Sequence, residues 1–162
     1  MSALPAAVIT VSDRSAQGLR EDASGPLVVT ALREAGFACA DPVVVADGAD
    51  SVETALRDAL GRGARLVVTT GGTGLSPRDQ TPEGTARVID RVIPGVGEEL
   101  RRRGALASPR ALLTRGLAGV VDPEGAFVVN LPGSTGGVAD GMPLVVALAG
   151  HVLDQLSGGD HA

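Results

Sequence analysis

A chain of 162 residues with a net charge of −5 has the length of one domain, enough to bury roughly two thirds of its unfolded surface, and its acidity argues against a nucleic-acid partner. All 14 basic residues are Arg, and Lys, Trp and Tyr are absent, which removes Schiff-base chemistry, a phosphate-loop lysine and a tyrosine acid or base. His151 and His161 both sit near the C-terminus and Cys39 is alone, which argues against a histidine triad or a His-rich zinc site and rules out an intramolecular disulfide.

Met1 to Ala7 has no basic region followed by an apolar core, so no secretory leader is expected. No apolar segment approaches the ~18 to 20 residues that cross a bilayer, and the expectation is a soluble, cytoplasmic protein with no membrane contact. Ala6 to Val11 reads as a strand buried on both faces, and Ser12 to Ser24 as a polar loop. Gly25 to Ala35 carries Leu27, Val28, Ala31 and Leu32 as a helical stripe closed by Gly36. Cys39 reads as a small buried apolar residue at the start of a strand, with a reactive thiol as the other reading, and Val43 to Val45 is a second strand ending at Asp47-Gly48. Ser51 is expected to cap a helix with Val52, Ala55, Leu56, Ala59 and Leu60 on one face and Gly61 as its stop.

Leu66 to Thr70 is the third strand, and it runs into Gly71-Gly72-Thr73-Gly74. Thr81-Pro82-Glu83 starts a helix, with Thr81 as cap and an acid beside the positive helix end. Gly95 to Gly104 is a short helix; its Arg101-Arg102-Arg103 run, after Glu98-Glu99, reads as a solvated helix end, with a subunit or anion contact as the other reading. Val120-Val121 and Phe127 to Leu131 flank a tight turn at Asp122-Pro123-Glu124-Gly125. A final helix is expected from Leu144 to Leu156, with Pro143 in its first turn. The alternation gives one α/β domain over residues 1–162, a three-layer sandwich with a mostly parallel central sheet, helices on both faces and a small antiparallel hairpin.

The stretch from Val67 to Glu83 is the most informative. A glycine turn at the carboxyl end of a strand lets backbone N–H groups close on an anion, and a nearby carboxylate can hold a metal that shares the anion's charge. Gly-Lys-Ser/Thr is missing, so this is not the usual phosphate loop. Carboxylates, arginines, hydroxyls and backbone amides suit phosphoryl or nucleotidyl transfer, where positioning and charge neutralisation dominate. Asp13, Asp47, the Gly71 to Gly74 turn and Ser134 each lie just past a predicted strand, so parallel neighbours would bring them to one rim.

Thr70-Gly71-Gly72-Thr73-Gly74 with Arg78-Asp79 and Thr81-Pro82-Glu83 resembles the MogA/MoaB family of molybdenum cofactor biosynthesis proteins, which includes the G domain of gephyrin. Ser12-Asp13-Arg14, Asp47 and Asn130-Leu131-Pro132-Gly133-Ser134 match in the same order, and the likeness extends from Ala6 to Leu156. The resemblance implies a molybdopterin adenylyltransferase that uses ATP with Mg2+ and releases pyrophosphate. A MoeA-like molybdenum insertase would take up the product. It also implies a homo-oligomer, a trimer or a hexamer built from two trimers. Because some MoaB-type members are thought not to adenylylate, a non-catalytic molybdopterin-binding scaffold is the alternative.

On that resemblance Asp47 and Asp79 are the catalytic, metal-holding pair. Ser12, Asp13, Arg14, Gly71, Gly72, Thr73, Gly74, Arg78, Pro132, Gly133 and Ser134 bind substrate or nucleotide. Each has a plainer reading. Asp47-Gly48 is a good turn dipeptide, Asp79 and Arg78 can pair on the surface, Ser12 to Arg14 can fix their own loop, and Pro132 to Ser134 can be an ordinary turn. Glu83 reads as a helix-start acid. An NAD-type oxidoreductase is disfavoured by the glycine spacing.

Overall fold

The apolar run from Ala6 to Val11 and the strand ahead of the glycine turn become neighbours in the middle of a sheet. In the computed structural model, which describes residues 2–159, β1 (Pro5–Val11) pairs in parallel with β4 (Leu66–Thr70), and β4 pairs in parallel with β7 (Ala126–Leu131). All five residues of β4 and all six of β7 are buried, as expected of central strands covered from both sides. The other side of β1 is shared by two short parallel strands: β2 (Ala38–Cys39) pairs with Pro5 and Ala6, and β3 (Val43–Val45) with Ile9 to Val11. Beyond β7 the direction reverses. β6 (Ala118–Val121) and β7 form the expected hairpin around Asp122 to Gly125, where Gly125 takes φ +61°, and β5 (Arg91–Val92) closes the far edge.

Strand alternation sorts the core into two layers. Val8, Val68, Phe127, Val129 and Leu131 face α2 (Ser24–Glu34), α5 (Pro94–Ala105) and α6 (Thr135–Leu156). Ile9, Val11, Val67 and Val128 face α3 (Ala49–Gly61) and α4 (Thr81–Ala86). The three-layer sandwich is therefore as expected. A short helix α1 (Asp13–Ala16) lies inside the segment expected to be loop, and Pro109–Leu113 is a 3-10 helix.

Several local expectations need correction. In α2 the buried side is Val28, Val29 and Leu32, whereas Leu27 is 45% exposed. Helix α3 starts at Ala49, two residues before Ser51, because Gly48 at φ +128° makes the entry; the Ser51 hydroxyl donates instead to the Ala46 and Gly48 carbonyls at 2.6 and 3.0 Å. Thr81 is the first residue of α4, not its cap, and its hydroxyl donates back to Gly71 O at 2.8 Å.

Helix α6 begins at Thr135, capped by Ser134, and carries Pro143 in its interior. Its 22 residues include an 18-residue window with a mean hydropathy of 1.4, long and apolar enough by length and composition to cross a membrane, contrary to the expectation that no segment approaches this. Here Val138, Met142, Val145, Ala149 and Leu153 bury its inner side in the core. His161 lies outside the described residues; His151 is exposed on α6, in contact with Gln155.

Candidate active site

Strands β1, β3, β4 and β7 run in one direction, so the segments after Val11, Val45, Thr70 and Leu131 leave the sheet at the same rim. The crossing is tight. Gly71 takes φ +99°, and a Cβ there would lie 2.2 Å from Val11 O; Gly72 takes φ +67°, and a Cβ there would lie 2.2 Å from Thr81 Oγ1 and 3.1 Å from Asp47 Oδ1. Only glycine lets β4 turn this close to its neighbours. Thr70 Oγ1 donates to Pro132 O at 2.7 Å and Gly71 N to Leu131 O at 3.1 Å, which ties the glycine turn to the Pro132–Ser134 segment.

Two cavities open on the rim. The first, of about 480 Å3, is lined by Ser12, Asp47, Gly71, Gly72, Asp79, Gly133 and Ser134, all from the expected set, together with Thr10 and Asp22. The second, of about 450 Å3, has Thr73, Gly74, Pro132 and Ser134 on one side and Arg101, Arg110 and Asp140 on the others. Ser134 borders both. The N-terminal ends of α2, at Ser24, and of α6, at Thr135, reach the first cavity, so two helix termini bring partial positive charge to it.

Asp13 and Asp47 form a reciprocal pair: Asp13 N donates to Asp47 Oδ2 and Asp47 N to Asp13 Oδ1, both at 3.0 Å. Arg78 grips the Asp13 carboxylate with both arms of its fork, Nε and Nη2 each at 3.0 Å, and Nη2 also donates to Asp47 O at 2.9 Å. The Arg78 hydrogen bonds hold the Asp13 carboxyl below its ordinary value. Asp47 moves the other way: burial raises it, and the negative charges of Asp13 and Asp79 add to the rise, against the pull of the Asp13 hydrogen bond and the Arg78 charge. Asp79 Oδ2 accepts from Ser76 N at 3.0 Å. Asp13 and Arg78 thus flank the first cavity without lining it. Arg14 is exposed on α1 and lines neither cavity.

Among the described residues there is no group of three or more His, Cys, Asp or Glu able to hold a metal. Asp47 and Asp79, which line the first cavity together with Glu21 and Asp22, still fit Mg2+, which is bound through one or two carboxylates plus substrate phosphates and keeps several waters.

Some site residues escaped the sequence reading. Thr10 Oγ1 donates to Asp22 Oδ2 at 2.8 Å, and Asp22 Oδ1 accepts from Gly25 N at 3.0 Å, which fixes the first cavity's outer wall. Asp22, three residues ahead of Gly25 at the start of a helix, carried a readable capping signal. Arg115 had none: its Nη2 donates to Asp79 O at 2.8 Å across 36 residues of sequence. In the arginine run, Arg102 and Arg103 pair with Glu99, whose carboxyl they lower to about 2, as a solvated helix end should; Arg101 instead turns to Gly116 O and the second cavity. Glu83 pairs with Arg115.

Residues 7–151 match the family described as a probable molybdopterin binding domain. The chain belongs to the MogA/MoaB family of molybdenum cofactor biosynthesis proteins. It is 38% identical, over 90% of its length and 87% of the relative's, to a molybdopterin adenylyltransferase of Pyrococcus furiosus. It is 40% identical over 96% of its length to a molybdenum cofactor biosynthesis bifunctional protein of Synechococcus elongatus, and it spans 48% of that relative. The chain thus covers about half the length of such bifunctional relatives. Among solved structures, the Mog protein of Mycobacterium ulcerans superposes with a TM-score of 0.90 at 42% identity, covering 98% of this chain and 99% of that one. The fold described above is therefore shared along nearly the whole chain.

Proposed function

We propose that this MogA/MoaB-family protein adenylylates molybdopterin, using ATP with Mg2+ and releasing pyrophosphate. The observation that carries the reading is the pair of cavities meeting at Ser134, with Asp47 and Asp79 both lining the first. Two polyanionic substrates must be brought together in such a reaction, and two adjoining cavities on one rim give each a place.

The terminal phosphate oxygen of molybdopterin forms a bond to the α-phosphorus of ATP, the bond from that phosphorus to the bridging oxygen breaks, and pyrophosphate leaves with the electron pair. The attacking oxygen is already anionic, so the site needs no strong base, in keeping with the chain's lack of Lys. What the protein supplies is relief of repulsion. Gly71 N–H is taken by Leu131 O and Ser76 N–H by Asp79 Oδ2, leaving the Gly72 amide, with the N-terminal turns of α2 and α6, to face phosphate oxygens. Asp47 and Asp79 would hold Mg2+, whose charge, when bound, offsets that of the triphosphate. Ser12, Gly133 and Ser134 line the same wall. Asp13 and Arg78 act from behind, holding Asp47 in place.

Self-association is part of the same reading: Leu27, Ala31, Val138, Met142 and Val146 line a shallow apolar groove between α2 and α6 that suits a protein neighbour. The trimer or hexamer, the MoeA-like partner and the cytoplasmic location remain expectations of the family.

The test is pyrophosphate release from ATP on addition of molybdopterin, with and without Mg2+, followed by identification of the adenylylated product. Asp47→Asn or Asp79→Asn should abolish turnover and leave pterin binding largely intact. Pyrophosphate released by both variants at the parent rate removes the two carboxylates from the metal role. A parent protein that binds molybdopterin and releases none is the scaffold instead.

A further inference from the structure

Arg115 lies between the 3-10 helix and β6, far in sequence from the glycine turn, yet it clips that turn at successive points. Its N–H donates to Thr73 O at 2.8 Å, Nε to Gly74 O at 2.9 Å and Nη2 to Asp79 O at 2.8 Å, while Nη1 pairs with the Glu83 carboxylate on α4. Thr114 Oγ1 adds a bond to Thr73 Oγ1 at 2.9 Å. The Arg115 side chain is 35% exposed, so most of it is shielded from competing water.

Asp79 depends on this main chain for its aim. Its carboxylate accepts from Ser76 N within the same loop, and a Cβ on Gly74 would lie 2.9 Å from its Oδ2. The loop is thus fastened on two sides. Arg78 ties it to Asp13 and to the Asp47 carbonyl, and Arg115 ties it to the end of the chain segment entering β6.

We infer that Arg115 is a positioning residue that sets the Asp79 carboxylate relative to Asp47, so that a divalent cation carried by a nucleoside triphosphate meets both at once. The inference rests on the metal role proposed for the two aspartates. A planar guanidinium reaches Gly74, Asp79 and Glu83 together, whereas the ammonium of Lys is a single point of charge on a flexible stem.

The test uses Mn2+ in place of Mg2+, titrated in the presence of a non-hydrolysable ATP analogue, with free Mn2+ read by electron paramagnetic resonance. Amide exchange across residues 74–79 is followed in the same samples. Arg115→Met should weaken Mn2+ retention by about tenfold or more, in line with groups that orient metal ligands. It should also speed exchange at the Ser76 and Asp79 amides while β4 and β7 stay protected. Arg115→Lys should fall between Arg115→Met and the parent. Arg91→Met, which breaks a bidentate pair with Asp122 at the far edge of the sheet, should match the parent.

Equal Mn2+ retention by the parent and Arg115→Met overturns the inference, whatever the loop exchange does. Faster exchange throughout the sheet in both Arg115 variants also overturns it, since it marks a general stabiliser. A parent protein that retains no Mn2+ overturns the metal role of the aspartates themselves, an outcome separate from either.

Discussion

Gly72→Ala isolates the tightest point of the rim. At φ +67° an alanine carries the left-handed backbone penalty, about 1–2 kcal/mol. Its Cβ would lie 2.2 Å from Thr81 Oγ1, so that hydroxyl must leave its 2.8 Å bond to Gly71 O in a fully buried position, at about 1–3 kcal/mol. The reduced freedom of the unfolded chain returns about 0.4–1 kcal/mol. The net loss is about 1–4.5 kcal/mol, on the order of 10 °C in Tm for a domain of this size. Thermal unfolding followed by circular dichroism, with urea titration, reads both values. The decisive comparison is made in a Thr81→Ala background: with the hydroxyl gone, the same Gly72→Ala change should cost about 1–2 kcal/mol less. An identical cost in both backgrounds, or a loss below about 0.5 kcal/mol in the parent, refutes the reasoning from contact and backbone conformation.

Asn130 is 2% exposed; its Nδ2 donates to the Thr69 and Thr85 hydroxyls and its Oδ1 accepts from Leu117 N, so Asn130→Ala should cost about 2–4 kcal/mol in urea unfolding, and a loss under about 1 kcal/mol counts against the network. Arg78→Met should let the Asp13 carboxyl titrate at higher pH, read from its carbon resonance by NMR; an unmoved titration means that Arg78 is not what lowers it. Because folding lowers the Asp13 value, its stabilisation is present above the unfolded carboxyl value, about pH 4, and is lost as pH falls through the native one, so the variant's stability should fall less steeply on the acid side. The Asp47→Asn and Asp79→Asn variants should each stop pyrophosphate release, as set out above.

The rim was legible because each of its loops begins where a strand-like run breaks at or next to a polar residue, glycine or proline: Val11 before Ser12-Asp13, Val45-Ala46 before Asp47, Thr70 before Gly71, Leu131 before Pro132-Gly133-Ser134. Parallel pairing then does the rest, since all four loops leave at the same end. Roles within the rim were harder to read. Arg78 is expected from the resemblance to bind substrate or nucleotide, yet Asp13 engages both arms of its fork. The start of α6 was hidden by its own residues. Gly136, Gly137, Gly141 and Pro143 are poor helix formers, and the reading placed the start after them. Gly141 is there for packing: a Cβ would lie 2.8 Å from Leu131 Cδ2 and 3.2 Å from Leu100 Cδ2, so the missing side chain lets the helix approach β7. Ser51 and Thr81 misled in the same manner, because their hydroxyls serve carbonyls outside the expected caps. Asp22 carried a local capping signal that was passed over, whereas Arg115 acts through contacts that no local pattern announces.

The hairpin turn from Asp122 to Gly125 feeds the start of β7, the end of the sheet facing away from both cavities. Its anchoring is separate too, with Arg65 Nε donating to Gly125 O at 2.6 Å. A guest sequence spliced between Pro123 and Glu124 would emerge on the wall opposite the two cavities. This molecule therefore has a back door for tags, dyes or fused partners that leaves the rim with both cavities undisturbed.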